Sequence, residues 1–282
     1  MANTVDPWDC PTCHTRLSTP YCPTCGERPL KLSDLTVRGL VEQGLHAFTS
    51  IDGRMMRSFR TLVASPGTLT VAFLTGQRKP YIGPVSLFLI ANVLFFATES
   101  LTGGTVFTTP LNSHLHNQPW DGLATTLVFN RLRALHQTLD SYAPGFDRAI
   151  ARNARSFIIL MVLSFSVLPR ITFPRSRWPF AAHAAFAFHL YAFILLLFSI
   201  ASSLLALNNA VGSSGFLPGE LDAAISLTLL AICAIYLYVA TGAVYGGRPT
   251  VRAFKTVLLT VGVAVIVLGY RFALLIVTLY ST

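Results

Sequence analysis

Four cysteines carry the clearest chemistry in the chain. Cys10, Cys13, Cys22 and Cys25 form two Cys-Pro-Thr-Cys units near the start of 282 residues, while Cys233 sits alone in an apolar run. Each Cys-x-x-Cys makes a hairpin knuckle, and two knuckles can close four thiolates on one tetrahedral ion, so this clustering speaks for a metal and against disulfides. Zinc suits the ligand set best; iron and a redox dithiol are the alternatives, the last wanting a βαβ context that the surrounding sequence lacks. Gly26 after Cys25 supplies the permissive backbone that lets amide N–H groups turn toward sulfur, and His14 holds that place in the first knuckle. With four thiolates filling the shell, His14 is not expected as a ligand and the zinc is structural. Residues 1–30 hold too little apolar surface to fold without the ion. Thiolates persist in a reducing compartment, which places the N-terminus in the cytoplasm.

A second set of candidates is polar and lies within apolar stretches: Asn92, Glu99, His189 and Arg271. Counting about 1.5 Å per helical residue from the inner ends puts Asn92 and His189 about 14–15 Å deep, and Glu99 and Arg271 about 22–24 Å deep. Two contacts are expected, an Asn92–His189 hydrogen bond and a Glu99–Arg271 ion pair; the alternative is that Glu99 and Arg271 reach the outer interface separately. His183 reads as a wetted histidine near the inner interface, six residues from His189 and so unable to share one metal or haem with it. Cys233 reads as packing. No serine elbow, Walker loop, His-Glu-x-x-His or paired acidic constellation is found, so no enzyme and no catalytic residues are expected, and proton-coupled transport lacks an evident relay.

The elements that position these groups follow from composition. Hydrophobic residues make up 52% and charged residues 12%, where a soluble domain carries about a quarter charged, which excludes an ordinary soluble enzyme. The apolar residues gather in runs long enough to cross a bilayer, at about 83–101, 153–173, 179–207, 221–245 and 256–280. The expected fold is therefore an all-α polytopic membrane protein of about five transmembrane helices with a small N-terminal zinc ribbon: ribbon 1–30, juxtamembrane amphipathic helices 31–82, membrane domain 83–282. The 153–173 segment is the weakest, its apolar stretch Phe157 to Leu168 being only about 18 Å of helix. The net charge of +9, about +7 once four thiolates hold a divalent ion, reads first as a topology and headgroup signal. Arg78, Lys79, Arg170, Arg175, Arg177, Arg248, Arg252 and Lys255 flank the inner ends, which puts the C-terminus outside. Arg148, Arg152 and Arg155 are the outer exception; a solvated first turn is the favoured reading, headgroup or partner binding the other.

Within 31–82, a helix from Leu32 to Phe48, entered through Ser33 or Asp34, turns Leu40, Val41, Leu45 and Phe48 to one side. A second starts at Asp52 and gathers Met55, Met56, Phe59, Leu62 and Val63 opposite Arg54, Arg57 and Arg60. That face either lies on lipid, with the arginines on phosphates, or packs on the protein's own helices. Arg78 and Lys79 are read as headgroup contacts. In the outer loop, Ala124 to Leu139 reads as a helix lid presenting Leu127, Val128, Leu132, Leu135 and Leu139; His114 and His116 lack a third ligand for a metal.

Tyr21-Cys22-Pro23-Thr24-Cys25-Gly26-Glu27-Arg28, Thr61-Leu62 with Pro66-Gly67, and Phe73-Leu74-Thr75-Gly76-Gln77-Arg78 with Tyr81 and Pro84 carry a resemblance. Over about residues 10–95 the chain resembles the bacterial membrane-protein family catalogued as domain of unknown function 3667. Glu27 stands where Gln is more usual there, a surface-level departure. The resemblance implies a bacterial inner-membrane protein with a double Cys-x-x-Cys ribbon, and no activity. Expected partners are the lipid bilayer, a protein contacted through the ribbon, and a homo-oligomer as an open option. Nucleic acid is not expected, since residues 10–30 offer only Arg16, Arg28 and Tyr21. The functional expectation is a non-enzymatic accessory, regulatory or assembly protein; the alternative is a small transporter or channel with a polar pathway.

Overall fold

A computed structural model describes residues 7–40, 53–103, 106–211 and 218–282. The described residues are all-α apart from one hairpin, β1 (Trp8–Asp9) paired antiparallel with β2 (Arg16–Leu17). After it, the chain does not enter a helix at Ser33 as expected. The Asp34 carboxylate accepts from the Lys31 amide at 2.9 Å and closes a 3₁₀ turn over Leu32–Leu35. Helical structure restarts after Thr36, whose hydroxyl accepts from the Gly39 amide at 3.1 Å. Val41, Leu45, Phe48 and the expected cap Asp52 lie outside the described residues.

The amphipathic helix α1 (Gly53–Ala64) divides its apolar face. Leu62 and Ser58 are buried and Met55 and Phe59 pack on the core, while Met56 and Val63 face outward beside the exposed Arg57 and Arg60. A Pro66-Gly67 turn then leads into α2 (Thr68–Thr75). Gly67 has φ +89°, and a Cβ there would stand 2.8 Å from the Ala240 carbonyl oxygen, so conformation and space both require glycine. That close approach wedges α2 against the bundle with Leu69, Thr70, Ala72, Phe73 and Leu74 buried, although the sequence reads it only as a short apolar connector.

Among the described residues four helices are long and apolar enough to cross a membrane, or five if one bent pair counts as a single span: α3 (Pro84–Thr102), α8 (Phe180–Val211), α9 (Pro218–Tyr245) and α10 (Pro249–Ser281) are the four. Between them come α4 (Leu111–His116), α5 (Asp121–Leu135), α6 (Leu139–Phe157) and α7 (Ile159–Thr172). The segment expected to span at 153–173 is a bent pair, α6 and α7 meeting at 42°. Its 14-residue second arm is about 21 Å long, short of a bilayer core of about 30 Å. The cause is visible in α6, which buries Tyr142, Phe146, Ala149 and Ile150 while exposing Arg148, Arg152 and Arg155 on the other side, so the all-round apolar stretch begins only near Phe157. The expected lid helix also ends early: His136 turns left-handed at φ +54°, Thr138 caps α6, and Leu139 falls into the next helix. Leu127, Val128, Leu132 and Leu135 do pack inward.

The centre of the bundle is α8, buried on every face from Ala181 to Leu195. Alanines at 181, 182, 184, 185, 187 and 192 let neighbouring helices approach closely, which favours dispersion contact where no hydrophobic gradient drives association.

Candidate metal centre and its docking onto the bundle

The two knuckles repeat the same backbone bonds. Cys10 N donates to Thr15 O at 3.0 Å and His14 N to Cys10 O at 2.9 Å; Cys22 N donates to Glu27 O at 2.7 Å and Gly26 N to Cys22 O at 2.8 Å. His14 (φ +58°) and Gly26 (φ +71°) occupy equivalent left-handed positions, so His14 is a backbone residue of the turn and stands outside the sulfur cluster. The Cys10–Cys25 and Cys13–Cys22 sulfurs lie 3.4 Å apart, Cys13 and Cys25 3.9 Å, and all four within 4.8 Å of one another. A tetrahedron with metal–sulfur bonds of about 2.3 Å has edges of about 3.8 Å, so the four thiols can hold one metal ion. Hydrogen bonds from Thr15, hydroxyl first and backbone second, pull the Cys13 thiol down to about 6. Against a hydrogen bond from the Glu27 backbone, desolvation and the sulfurs of Cys10, Cys22 and Cys13 push Cys25 up to about 12. Crowded thiols ionise together only beside a cation, which is the electrostatic argument for the ion.

The ribbon is held on the bundle by two carboxylates. Glu27 is 1% exposed, and its Oε2 accepts from the amides of Arg78 and Lys79 at 3.0 Å each and from the Thr12 hydroxyl at 3.1 Å. Gln77 Nε2 donates to Pro11 O, inside the first knuckle, at 2.8 Å. Asp34 receives both Nη groups of Arg28 at 2.8 and 3.1 Å and Arg78 Nη1 at 3.0 Å. Although partial burial works against it, the Arg28 hydrogen bonds, the Lys31 amide and Arg78 hold the Asp34 carboxyl below its ordinary range. Two sequence expectations change here. Arg78 is bound to Asp34 and its backbone to Glu27, so it joins ribbon to bundle and does not lie free in a headgroup layer; Lys79 shares the Glu27 contact, its side chain running past Gly26. Glu27, noted from sequence only as standing where Gln is more usual, is buried, and its carboxylate accepts three donors at once.

The intramembrane polar residues are paired differently from the expectation. His189 Nδ1 lies 2.8 Å from Thr70 Oγ1 on the wedge helix α2, so its partner is not Asn92, which is half-buried on α3. Depth counting could not find Thr70, because it assumed that only spanning helices reach that level. Glu99 and Arg271 do not form a direct ion pair. Glu99 Oε1 accepts from Val106 N at 2.6 Å, while Arg271 Nε and Nη2 donate to Val106 O at 3.1 and 2.9 Å. The two side chains hold the backbone N–H and C=O of one residue, Val106, in a loop that enters the bundle, where Phe107 packs edge-on against Phe95, Phe198 and Tyr270. Irregular backbone inside a bundle persists only where its polar groups are satisfied, and these side chains do that. His183 is fully buried and not wetted, its Nδ1 2.8 Å from the Tyr245 hydroxyl.

Of the remaining candidates, Arg57 and Arg60 are exposed, and Arg54 is half-buried with an interaction of its own. Arg148, Arg152 and Arg155 are exposed on α6; Arg148 Nε bonds Pro144 O, and Arg155 sits 5.9 Å from the Phe96 ring centroid. His116 is exposed, whereas His114 is buried against Trp120 and Phe146, and desolvation with Arg271 nearby pushes its imidazole down to about 4.

A family model described as protein of unknown function (DUF3667) matches residues 52–96. The match starts after the ribbon cysteines and so covers less than the 10–95 expected. No curated protein and no solved structure matches the chain. The chain is thus similar to that family over α1, α2, the loop that receives the ribbon and the first part of α3.

Proposed function

We propose that the chain is a non-enzymatic accessory, regulatory or assembly protein of the bacterial inner membrane, with its N-terminus cytoplasmic and its C-terminus outside. Cys10, Cys13, Cys22 and Cys25 hold a structural zinc, which gives the first thirty residues the fold they could not reach by burial. The observation that carries this reading is the use of Glu27 and Asp34: the zinc module grips the loop entering α3, so it works as a clasp on its own bundle and holds a rigid outward face, marked by the exposed Tyr21, near the membrane. The exposed Arg57 and Arg60 of α1 meet lipid phosphates. A non-enzymatic role is favoured over a transporter because Glu99 and Arg271, the two charged intramembrane candidates, both bind the Val106 backbone of a packed loop. In-membrane crosslinking and pull-down of the wild-type chain beside Cys22→Ser/Cys25→Ser tests it, at equal membrane levels and with about one zinc per wild-type chain. A defined partner lost together with zinc supports the docking role. Capture of the same proteins by both versions contradicts it.

A further inference from the structure

A cavity of about 700 Å³ opens between the segment trailing the ribbon, α1, α2 and the start of α3, within the usual size of small-molecule sites. Arg28, Arg38, Arg54 and Arg78 line it, with Asp34 the sole carboxylate among the described lining residues. Arg38 and Arg54 have interactions of their own, so the case rests on two other side chains.

The first is Arg78. Its Nη1 is bound to Asp34, but Nε and Nη2 are buried and have no partner among the described residues. Those two atoms form the edge of the guanidinium that grips an oxyanion side-on with two parallel hydrogen bonds. At the other end of the bundle the same edge of Arg271 is filled by the Val106 carbonyl, which shows what this geometry does when an acceptor is present. The second is His189, 3% exposed, with Nδ1 on Thr70 and Nε2 buried without a partner. In the tautomer whose Nδ1 accepts from the Thr70 hydroxyl, Nε2 carries the proton and is a second donor. Buried donors without acceptors are few in native proteins, and two in the walls of one cavity call for an acceptor there. Gly83 and Pro84 also line it, so the positive end of the α3 backbone dipole adds to the same field.

We propose that this cavity binds a phosphate group. A tetrahedral oxyanion with several oxygens can engage a guanidinium edge, an imidazole N–H and a helix N-terminus from different directions, which a planar carboxylate does less fully. The phosphate belongs either to a lipid headgroup of the leaflet on the ribbon side or to a soluble phosphate compound; the donors are the same for both.

The test uses the full-length, zinc-loaded chain in detergent at constant ionic strength. Inorganic phosphate and dioctanoyl phosphatidylglycerol are the probes, with chloride and dioctanoylglycerol as the controls that lack phosphate. Calorimetric Kd and the ligand-dependent Tm are read for wild type, Arg78→Lys and Arg133→Lys, the last an exposed arginine of α5 outside the cavity. The lysine at 78 keeps a charge beside Asp34 and removes the two-donor edge, so Arg78→Lys is expected to weaken binding about tenfold or more, with Arg133→Lys unchanged. Binding of inorganic phosphate alone identifies a soluble ligand, binding of the phospholipid alone a headgroup, and either supports the site. Binding that Arg78→Lys leaves intact, at wild-type zinc content, overturns it. If Arg78→Lys does not fold, the wild-type Tm decides: a rise with a phosphate probe above its control supports the site, and no rise overturns it.

Discussion

The two ends of the bundle solve one problem with the same residue types and reach different results. At each, a loop flanking α3 needs its backbone satisfied, and at each a buried glutamate accepts amide protons while an arginine stands close by. Glu99 and Arg271 belong to the bundle and take the N–H and the C=O of one residue, Val106, only seven residues from Glu99 along the chain. Glu27 and Asp34 come from a separate module, reaching Arg78 across 51 and 44 residues. The far clamp therefore lasts as long as the bundle does. The ribbon clamp depends on whatever keeps the knuckles folded, which makes it a junction that metal and pH can loosen.

Cys22→Ser/Cys25→Ser is expected to have the largest effect on this contrast. Structural zinc sites contribute an apparent ~10–16 kcal/mol at neutral pH, so loss of the proposed zinc unfolds the ribbon; limited trypsin digestion should then cut after Arg16 and Lys31 while the Glu99 end stays protected. Glu27→Ala comes next. It leaves the Arg78 and Lys79 amides without their buried acceptor and weakens docking by roughly 2–5 kcal/mol, read as faster proteolysis of the ribbon with zinc still bound. Glu99→Ala orphans the Val106 amide and should lower the thermal stability of the bundle by about 1–3 kcal/mol with the ribbon still docked. The smallest effect is the pH dependence of Asp34. Its carboxyl is held below its ordinary value of 3.8, so its contribution is complete above that pH and fades as pH falls through the lower folded value. Acid also protonates the thiolates, so the Asp34 part is the difference between wild type and Asp34→Asn, constant from pH 5 to 8 and vanishing in stronger acid.

How far these features could be read beforehand varies with the kind of signal. The cluster of four cysteines that could hold a metal ion was legible, because Cys-x-x-Cys spacing encodes local knuckle geometry. Four of the five spans were legible from apolar run length, and even the bend in the other was foreshadowed by the short stretch from Phe157. The contacts were not. Glu27 gave no sign of burial because its partners are amides, which have no residue signature, and Thr70 was hidden in an eight-residue helix too short to register as reaching bundle depth. The Glu99–Arg271 expectation found the right two residues and missed the backbone of Val106 between them, since a loop that enters the bundle at Phe107 has no periodicity to announce it.

The most direct measurement is amide hydrogen exchange on the membrane-embedded chain, with zinc and after chelation, read at Arg78, Lys79 and Val106. If the ribbon is a metal-dependent clasp, removing zinc frees the Arg78 and Lys79 amides from Glu27 and speeds their exchange, while Val106 on Glu99 keeps its protection. Equal protection of all three with and without zinc, or equal loss at all three, would contradict it.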